Sequence, residues 1–507
     1  MPNLSNEDIT QAGYANDFIF GLAPAALQFS LLAQGLQAPR GQISYLQLGC
    51  GFGLTAQIIA AANPDVSVLG VDPGEAQIAR ARELAEAAGT PNVAFHATSY
   101  AELAANANLP TFDIIAVHGV YSWVSAADRG FIQDIVRRCL KPGGLVYITY
   151  NALPGWADAA PLQRLIRDAS QLGSGDVAQR LSQGIAFASR LKELGSRYFA
   201  GNEGAVKRLA TFGKASVPNL VREYLTQGWA AFHFADVANV FGEAGLAFAC
   251  QGNPGLQLDL INFTAEQRQL LDGIGDATFR ETTRDFLLNT QFRRDIYVRE
   301  VAALPREEQQ SIWLDRRFLL ARPAADVPRV ARAPVGDITL QPAVYDPILA
   351  VLDRGPCTMR ELIADPAVAG LSFERVAEAL FFLVAMEMVS HALPVEGMEL
   401  RAQRTAELNA AILARVEAGE EIVVLASPAT GSAVTLDRLT LLFLLAHQRN
   451  DADPVDFVRR TLEAQGQKIV KNGVELQDQQ LIHEELSAAY TVFKTANLPR
   501  LEQLGIR

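Results

Sequence analysis

From Ile43 to Tyr150, short runs of β-branched and apolar residues alternate with longer runs whose apolar positions recur at helical spacing. This rhythm predicts a parallel sheet joined by crossover helices. The strand runs are Ile43 to Leu48, Val66 to Val71, Val93 to Ala97, Phe112 to Val117 and Leu145 to Tyr150; helices are expected near Leu54 to Ala62, Gly74 to Ala88 and Ala126 to Leu140. Lys141-Pro142-Gly143-Gly144 is expected to stop the last helix and turn the chain into the next strand. After Trp156 the alternation lapses. Pro161 to Phe212 is helix-biased without a clear strand and reads as a helical insertion spanning residues 157–230. The rhythm then returns as a helix at Ala235 to Ala244 and strands at Ala247 to Gln251 and Asp295 to Glu300, so residues 233–300 are expected to complete the sheet.

The first domain is therefore expected over residues 1–321. Arg322 to Pro334, rich in proline and arginine and without apolar periodicity, reads as a linker. Residues 322–397 are expected to form a winged-helix-like middle domain with helices at Ala343 to Arg354, Met359 to Ile363 and Phe373 to Met388 before a short β run. Its acidic residues outnumber its basic ones, which argues for a protein-facing module over a DNA reader. Residues 398–507 read as a third, mainly helical domain with an apolar stretch at Leu439 to Ala446 and no motif. Tyr14, Phe18 and Leu22 lie at helical spacing before the first strand, as a lid over a ligand or as a stripe packed on the core.

Composition narrows the class. The 507 residues are 49% hydrophobic and 20% charged, an ordinary folded composition with material for several cores. A net charge of −12 opposes a basic footprint for nucleic acid. The four cysteines (Cys50, Cys139, Cys250, Cys357) have no CxxC spacing and suit a reducing, cytoplasmic setting. Met1 to Gln11 lacks the pattern of a secretory signal, and the longest apolar stretches reach about eight residues, short of the roughly 20 of a membrane span. The six histidines show neither HxH nor HxxxH spacing, so no metal site is expected.

The chemistry is concentrated in Gln47-Leu-Gly-Cys-Gly-Phe-Gly53, where a strand ends and a helix begins. Glycines there let the backbone turn sharply against a ligand, and the helix start offers free N–H groups. Leu54 occupies the position of the third glycine of a dinucleotide fingerprint, which disfavours NAD. Asp72 ends the second strand, where a carboxylate can accept both hydroxyls of a ribose. A nucleoside cofactor is the expectation.

Gly49 to Gly53 with Asp72 resembles the class I S-adenosylmethionine-dependent methyltransferases. Phe112 to Val124 and Tyr147 to Trp156 are similar to the bacterial members that carry a methyltransferase regulatory domain, a group that includes the rickettsial outer-membrane-protein lysine methyltransferases. The likeness continues through Arg222-Glu-Tyr-Leu225, Trp229, His233 to Val237 and Gln291 to Asp295. It implies an α/β fold: a class I (Rossmann-like) sheet with a helical insertion, followed by smaller, mainly helical, winged-helix-like C-terminal domains. It also implies S-adenosylmethionine as cofactor, bound by Gln47, Gly49, Gly51, Gly53, Asp72, Pro73, Ser99, Tyr100 and His118. Two positions depart from the family pattern. Gln47 replaces the usual acidic residue, and Ser99-Tyr100 stands where an acidic residue often meets the adenine.

A sulfonium is already electrophilic, so the protein has chiefly to align the nucleophile and exclude water, without a metal. His118 and Tyr121 are the candidate catalytic groups, as proton acceptors. Trp123, Asn151, Pro154 and Trp156 are the candidate walls of an acceptor pocket where the fourth and fifth strands end. No D-P-P-Y-type tetrapeptide follows the fourth strand, which disfavours methylation of a flipped base. The expected activity is methyl transfer to a protein lysine. The alternatives are a small-molecule or surface-glycan acceptor, or a non-catalytic cofactor-binding regulatory protein; a homodimer is compatible with each.

Overall fold

Ile114 to Val117 and Leu145 to Ile148 are apolar without interruption because they run through the middle of a sheet covered on both faces. The computed structural model describes Ile9, Ala12 and residues 16–471 and 474–507. In it β1 (Ile43–Leu48), β2 (Val66–Asp72), β3 (Val93–Ala97), β4 (Phe112–Val117) and β5 (Leu140–Ala152) are parallel. Two-residue β6 (Ala231–Phe232) pairs with the end of β5, while β8 (Phe292–Val298) runs antiparallel to β5 and to β7 (Ala247–Gln251). The eight-stranded sheet has the order β3-β2-β1-β4-β5-β8-β7 with β6 to one side, so residues 233–300 do complete it.

Helix α1 (Pro24–Ala33) precedes the sheet, and α2 (Leu54–Ala62), α3 (Glu75–Ala88), α4 (Tyr100–Ala105) and α5 (Ala126–Cys139) cross between strands. The insertion is built from α6 (Ala160–Leu172), α7 (Val177–Glu193), α8 (Glu203–Ala210) and α9 (Val217–Leu225); α10 (Phe234–Glu243) and α11 (Ala277–Leu288) flank β7. Among the described residues no helix is long and apolar enough to cross a membrane.

Three expectations are corrected. Lys141 to Gly144 makes no separate turn but a bulge inside β5, since Leu140 pairs with Phe112 and Leu145 with Ile114. Gly143 takes φ +77°, and Lys141 Nζ reaches both Asp113 and Ser44 at 2.8 Å, pinning the bulge to β4 and β1.

The second concerns the boundary at 321/322. Strand β9 (Arg317–Leu320), just before it, pairs with β12 (Cys357–Thr358) and β13 (Val389–Ala392), so the middle unit begins upstream. The proline- and arginine-rich stretch is itself structured, because β10 (Val330–Ala333) forms a hairpin with β11 (Gly336–Thr339). The expected helices are present as α12 (Pro342–Asp353), α13 (Met359–Ala364) and α14 (Phe373–Ala385), packed on the β12-β9-β13 sheet. A four-residue strand carries no sign in sequence of which distant strand it will join.

The third concerns residues 398–507, which share the core of the first domain instead of forming a core of their own. Helix α15 (Met398–Glu417) and hairpin β14 (Val424–Ser427) to β15 (Ser432–Thr435) pack over α2 and α3. Asn63 Nδ2 donates to Gly431 O at 2.8 Å, and Arg80 pairs with Glu420 at 2.9 Å. Every residue of α2 is buried, which is why Leu54 to Ala62 has no polar face. In the apolar stretch Leu439 to Ala446, Thr440 to Ala446 are likewise buried, inside α16 (Arg438–Gln448).

Candidate active site

At the carboxyl edge of β1, β2 and β4 the protein encloses a cavity of about 230 Å³. The loop after β1 forms its floor. Gly49 and Cys50 donate their N–H groups to Val71 O at 2.8 and 3.0 Å, folding the loop back over the end of β2. Gly49 has φ +72°, and a Cβ there would collide with Val120, so both conformation and space demand glycine. Asp72, 1% exposed, closes the arrangement: Oδ2 accepts from Gly51 N–H at 2.9 Å and Oδ1 from Gly74 N–H at 3.0 Å. The same carboxylate lines the cavity. Pro73 and Tyr100 line the same side, and burial, with Asp72 close by, raises the Tyr100 hydroxyl well above its ordinary pKa.

The opposite wall comes from the loop after β4 and from α9. His118, Gly119 and Trp123 face Arg222 and Thr226. Gly119 N–H donates to Thr149 Oγ1 at 3.0 Å, fixing this loop to β5, and the Arg222 guanidinium lies 5.2 Å from the centre of the Trp123 ring. Burial, reinforced by Arg222 and Arg294, lowers the His118 pKa to about 3. The ring is a neutral hydrogen-bonding group at physiological pH. That lowering disfavours the proton-acceptor role expected of it.

Four buried polar atoms bordering this one cavity have no hydrogen-bond partner among the described residues: Gln47 Oε1, His118 Nδ1, Trp123 Nε1 and Arg222 Nε. Buried polar groups are nearly always satisfied, and their concentration at one concavity is the mark of a ligand site.

Other expected site residues lie elsewhere. Gly53 faces Phe95 and Ala81 and serves close packing of α2 on the sheet. Ser99 caps α4, its Oγ accepting from Glu102 N–H at 3.2 Å and donating to Glu102 Oε2 at 2.8 Å. Tyr121 points into the core, packed on Phe232 and Phe241 with ring centres 5.3 and 6.2 Å away, so it is no proton acceptor for the cavity. Asn151 is buried with its side-chain amide donating to Glu223 Oε1, and Leu153–Pro154 is a cis peptide in the turn leading to the insertion. Trp156 is core in the insertion, packed on Trp229 at 4.9 Å and covered by Arg208 at 3.8 Å. None of these lines the cavity. Phe18 and Leu22 are buried, in irregular chain and a single 3-10 turn, so they share no helical face; Tyr14 lies outside the described residues.

Comparison with known proteins fits this geometry. Residues 46–146 match the methyltransferase domain family, and residues 218–299 match the family described as a predicted methyltransferase regulatory domain. An uncharacterized protein of Synechocystis sp. is 34% identical over 501 residues, covering 98% of each chain. The chain belongs to the class I methyltransferases that carry a regulatory domain. An uncharacterized protein of Rickettsia prowazekii is 28% identical over 51% of this chain and 46% of its own. PKMT2 from Rickettsia typhi, solved in complex with AdoHcy, shares the fold with a TM-score of 0.70 at 17% identity, over 97% of this chain and 99% of that one.

In this methyltransferase the site therefore draws on both matched segments, because Arg222 and Thr226 come from the regulatory one. S-adenosylmethionine, the cofactor of the class, suits the donor set: a glycine-lined floor, a carboxylate beside it and unpaired polar atoms of both kinds. The sequence reading missed Asp17, Ile19, Thr55, Arg222 and Thr226 in the lining. Arg222 stood within the Arg222-Glu-Tyr-Leu225 segment of the family likeness, but nothing local showed that its helix folds back over β4.

Proposed function

We propose that this methyltransferase transfers a methyl group from S-adenosylmethionine to the side-chain amine of a lysine presented by a protein. The observation that carries the cofactor assignment is the set of four unpartnered polar atoms around the cavity that Asp72 and the β1 loop line. Asp72 is assigned to the ribose hydroxyls, Gln47 to the amino group of the methionyl part, and Pro73 with Tyr100 to the adenine. Gly49 and Gly51 allow the close approach. When bound, the cofactor supplies an electrophilic methyl carbon on a sulfonium.

The acceptor class follows the family likeness and is supported by electrostatics. The burial and the two guanidiniums that keep His118 neutral down to about 3 also favour the neutral form of an incoming amine. Only that form has the lone pair that bonds to the methyl carbon as the carbon–sulfur bond breaks. His118 Nδ1 and Trp123 Nε1 orient the acceptor instead of taking its proton: the ammonium loses its proton to solvent before transfer, the neutral nitrogen attacks the methyl carbon as the carbon–sulfur bond breaks, and the methylammonium product leaves with the neutral thioether. Incubating the protein with methyl-tritiated S-adenosylmethionine and fractionated bacterial extract tests this reading. Label recovered as methyllysine after acid hydrolysis is the expected result. Label in low-mass or glycan fractions would replace the acceptor, and cofactor binding without transfer to any fraction would replace the enzyme with a sensor.

A further inference from the structure

The regulatory segment is more than a cover on the catalytic sheet. Helix α9 brings Arg222 to the cavity wall, where Nε is shielded from solvent and has no partner, while Nη2 donates to Asn219 Oδ1 at 3.1 Å. The guanidinium makes no ion pair within 4 Å among the described residues; Asp17 and Glu223 are near enough to influence it but do not pair with it. One side is closed by the Trp123 ring, and Nη1 comes within 3.4 Å of where a Cβ on Gly119 would sit. A largely buried guanidinium without a carboxylate is costly unless a ligand provides one, and its planar fork matches a carboxylate in two parallel bonds.

The helix is held in place by its next residue. Glu223 Oε1 accepts from Trp229 Nε1 at 2.6 Å and from the side-chain amide of Asn151 at the end of β5. Asn151 N–H in turn donates to Ser122 Oγ at 2.7 Å, and Ala230 N–H donates to Ser122 O at 2.8 Å, so the loop after β4, the end of β5 and the regulatory segment are fastened at one point. This fixes where Arg222 stands relative to His118 and Gly119.

We infer that Arg222 is the carboxylate-binding residue of the site and grips the methionyl carboxylate of the cofactor, so that the regulatory segment governs cofactor retention, with Glu223 as its positioning residue. The inference rests on the cofactor assignment above. Under that assignment the methionyl carboxylate is the anion available to the cavity, since a lysine acceptor brings none.

The test is calorimetric titration of the full chain with S-adenosylhomocysteine and with 5′-methylthioadenosine, which keeps the nucleoside but lacks the amino-acid arm. Arg222→Ala is expected to weaken S-adenosylhomocysteine by about 10- to 100-fold, the scale of a lost charge-assisted pair, and to change 5′-methylthioadenosine by less than about 3-fold. Retained binding of the latter shows that the variant is folded. Arg222→Lys should recover part of the loss, because charge returns without the fork. Glu223→Ala should lower the preference for S-adenosylhomocysteine in the same direction, and Glu223→Gln should do so less. Unchanged S-adenosylhomocysteine affinity overturns the inference and moves Arg222 to the acceptor side; equal loss of both ligands also overturns it and leaves Arg222 a role in the shape of the site. If the unsubstituted protein binds neither ligand, it is the cofactor assignment that fails.

Discussion

The ends of β4 and β5 lie side by side at the same edge of the sheet, and each carries a polar and aromatic run, His118 to Trp123 and Asn151 to Trp156. The first opens into the cavity, with His118 Nδ1 and Trp123 Nε1 left without partners. In the second, Asn151 is bonded to Glu223 and Ser122, and Trp156 is wedged between Trp229 and Arg208. The residue types are nearly interchangeable. What separates them is the element laid on top: α9 reaches over the β4 loop with a long guanidinium and leaves space, whereas over β5 the same segment packs directly, engaging the Asn151 amide through Glu223 and the Trp156 ring through Trp229 and Arg208. Furnishing of the same kind thus makes a binding wall at one strand end and an anchor at the next.

Substitutions should divide along that line. Trp156→Ala removes a fully packed ring and is expected to cost about 3–5 kcal/mol of stability while the folded fraction keeps its affinity for S-adenosylhomocysteine. Denaturant unfolding paired with calorimetry reads both quantities, and a fall in affinity with stability intact would erase the contrast. Asp72→Ala, on the cavity side, is expected to reduce that affinity by at least about 100-fold, because hydrogen bonds to the loop and to the ribose go together. Affinity within a few-fold of the original would remove Asp72 from the site.

A smaller effect comes through protons. His118 and the half-buried His391, packed on Phe29, both have pKa values lowered to about 3 from an ordinary 6.5. The unfolded chain therefore binds protons between those values that the folded chain refuses. Stability is fully present above about pH 6.5 and falls as the pH drops from there toward 3, by up to about 1.4 kcal/mol per unit for each histidine. Unfolding curves at pH 7.5 and 5 measure this; His118→Gln should flatten the acid limb, and an unchanged slope would show that the ring titrates normally. The smallest effect is expected from Tyr121→Phe, whose ring lies in the core: methyl-transfer turnover should change by less than about 2-fold. A loss of ten-fold or more would return Tyr121 to the chemistry.

Much of this architecture was legible in the chain itself. β1, β3, β4 and α2 coincide with their expected runs to the residue: β1, β4 and α2 because nearly all of their residues are buried and so mostly apolar, and edge strand β3 through its short run around Phe95 bounded by loops. Gly49 and Asp72 were legible for a related reason: a turn that needs positive φ and a carboxylate at a strand end are local demands. Gly53 and Ser99 have the same local character but serve packing and capping, and only their three-dimensional neighbours reveal it. The partner of β9 and the covering of α2 by residues 398–435 were hidden, because both depend on contacts between segments distant in sequence.

The sequence by itself therefore determined the sheet, the loop that cradles a nucleoside cofactor and the membership of the methyltransferase family, all written in short-range pattern. Only the tertiary structure decided which aromatic and polar residues face the cavity, that burial beside Arg222 and Arg294 lowers the His118 pKa, and that the regulatory segment brings a guanidinium to the cavity wall. The physical reason is that burial, ion pairing and hydrogen-bond satisfaction belong to neighbourhoods in space, and at this site those neighbourhoods join residues about 100 positions apart.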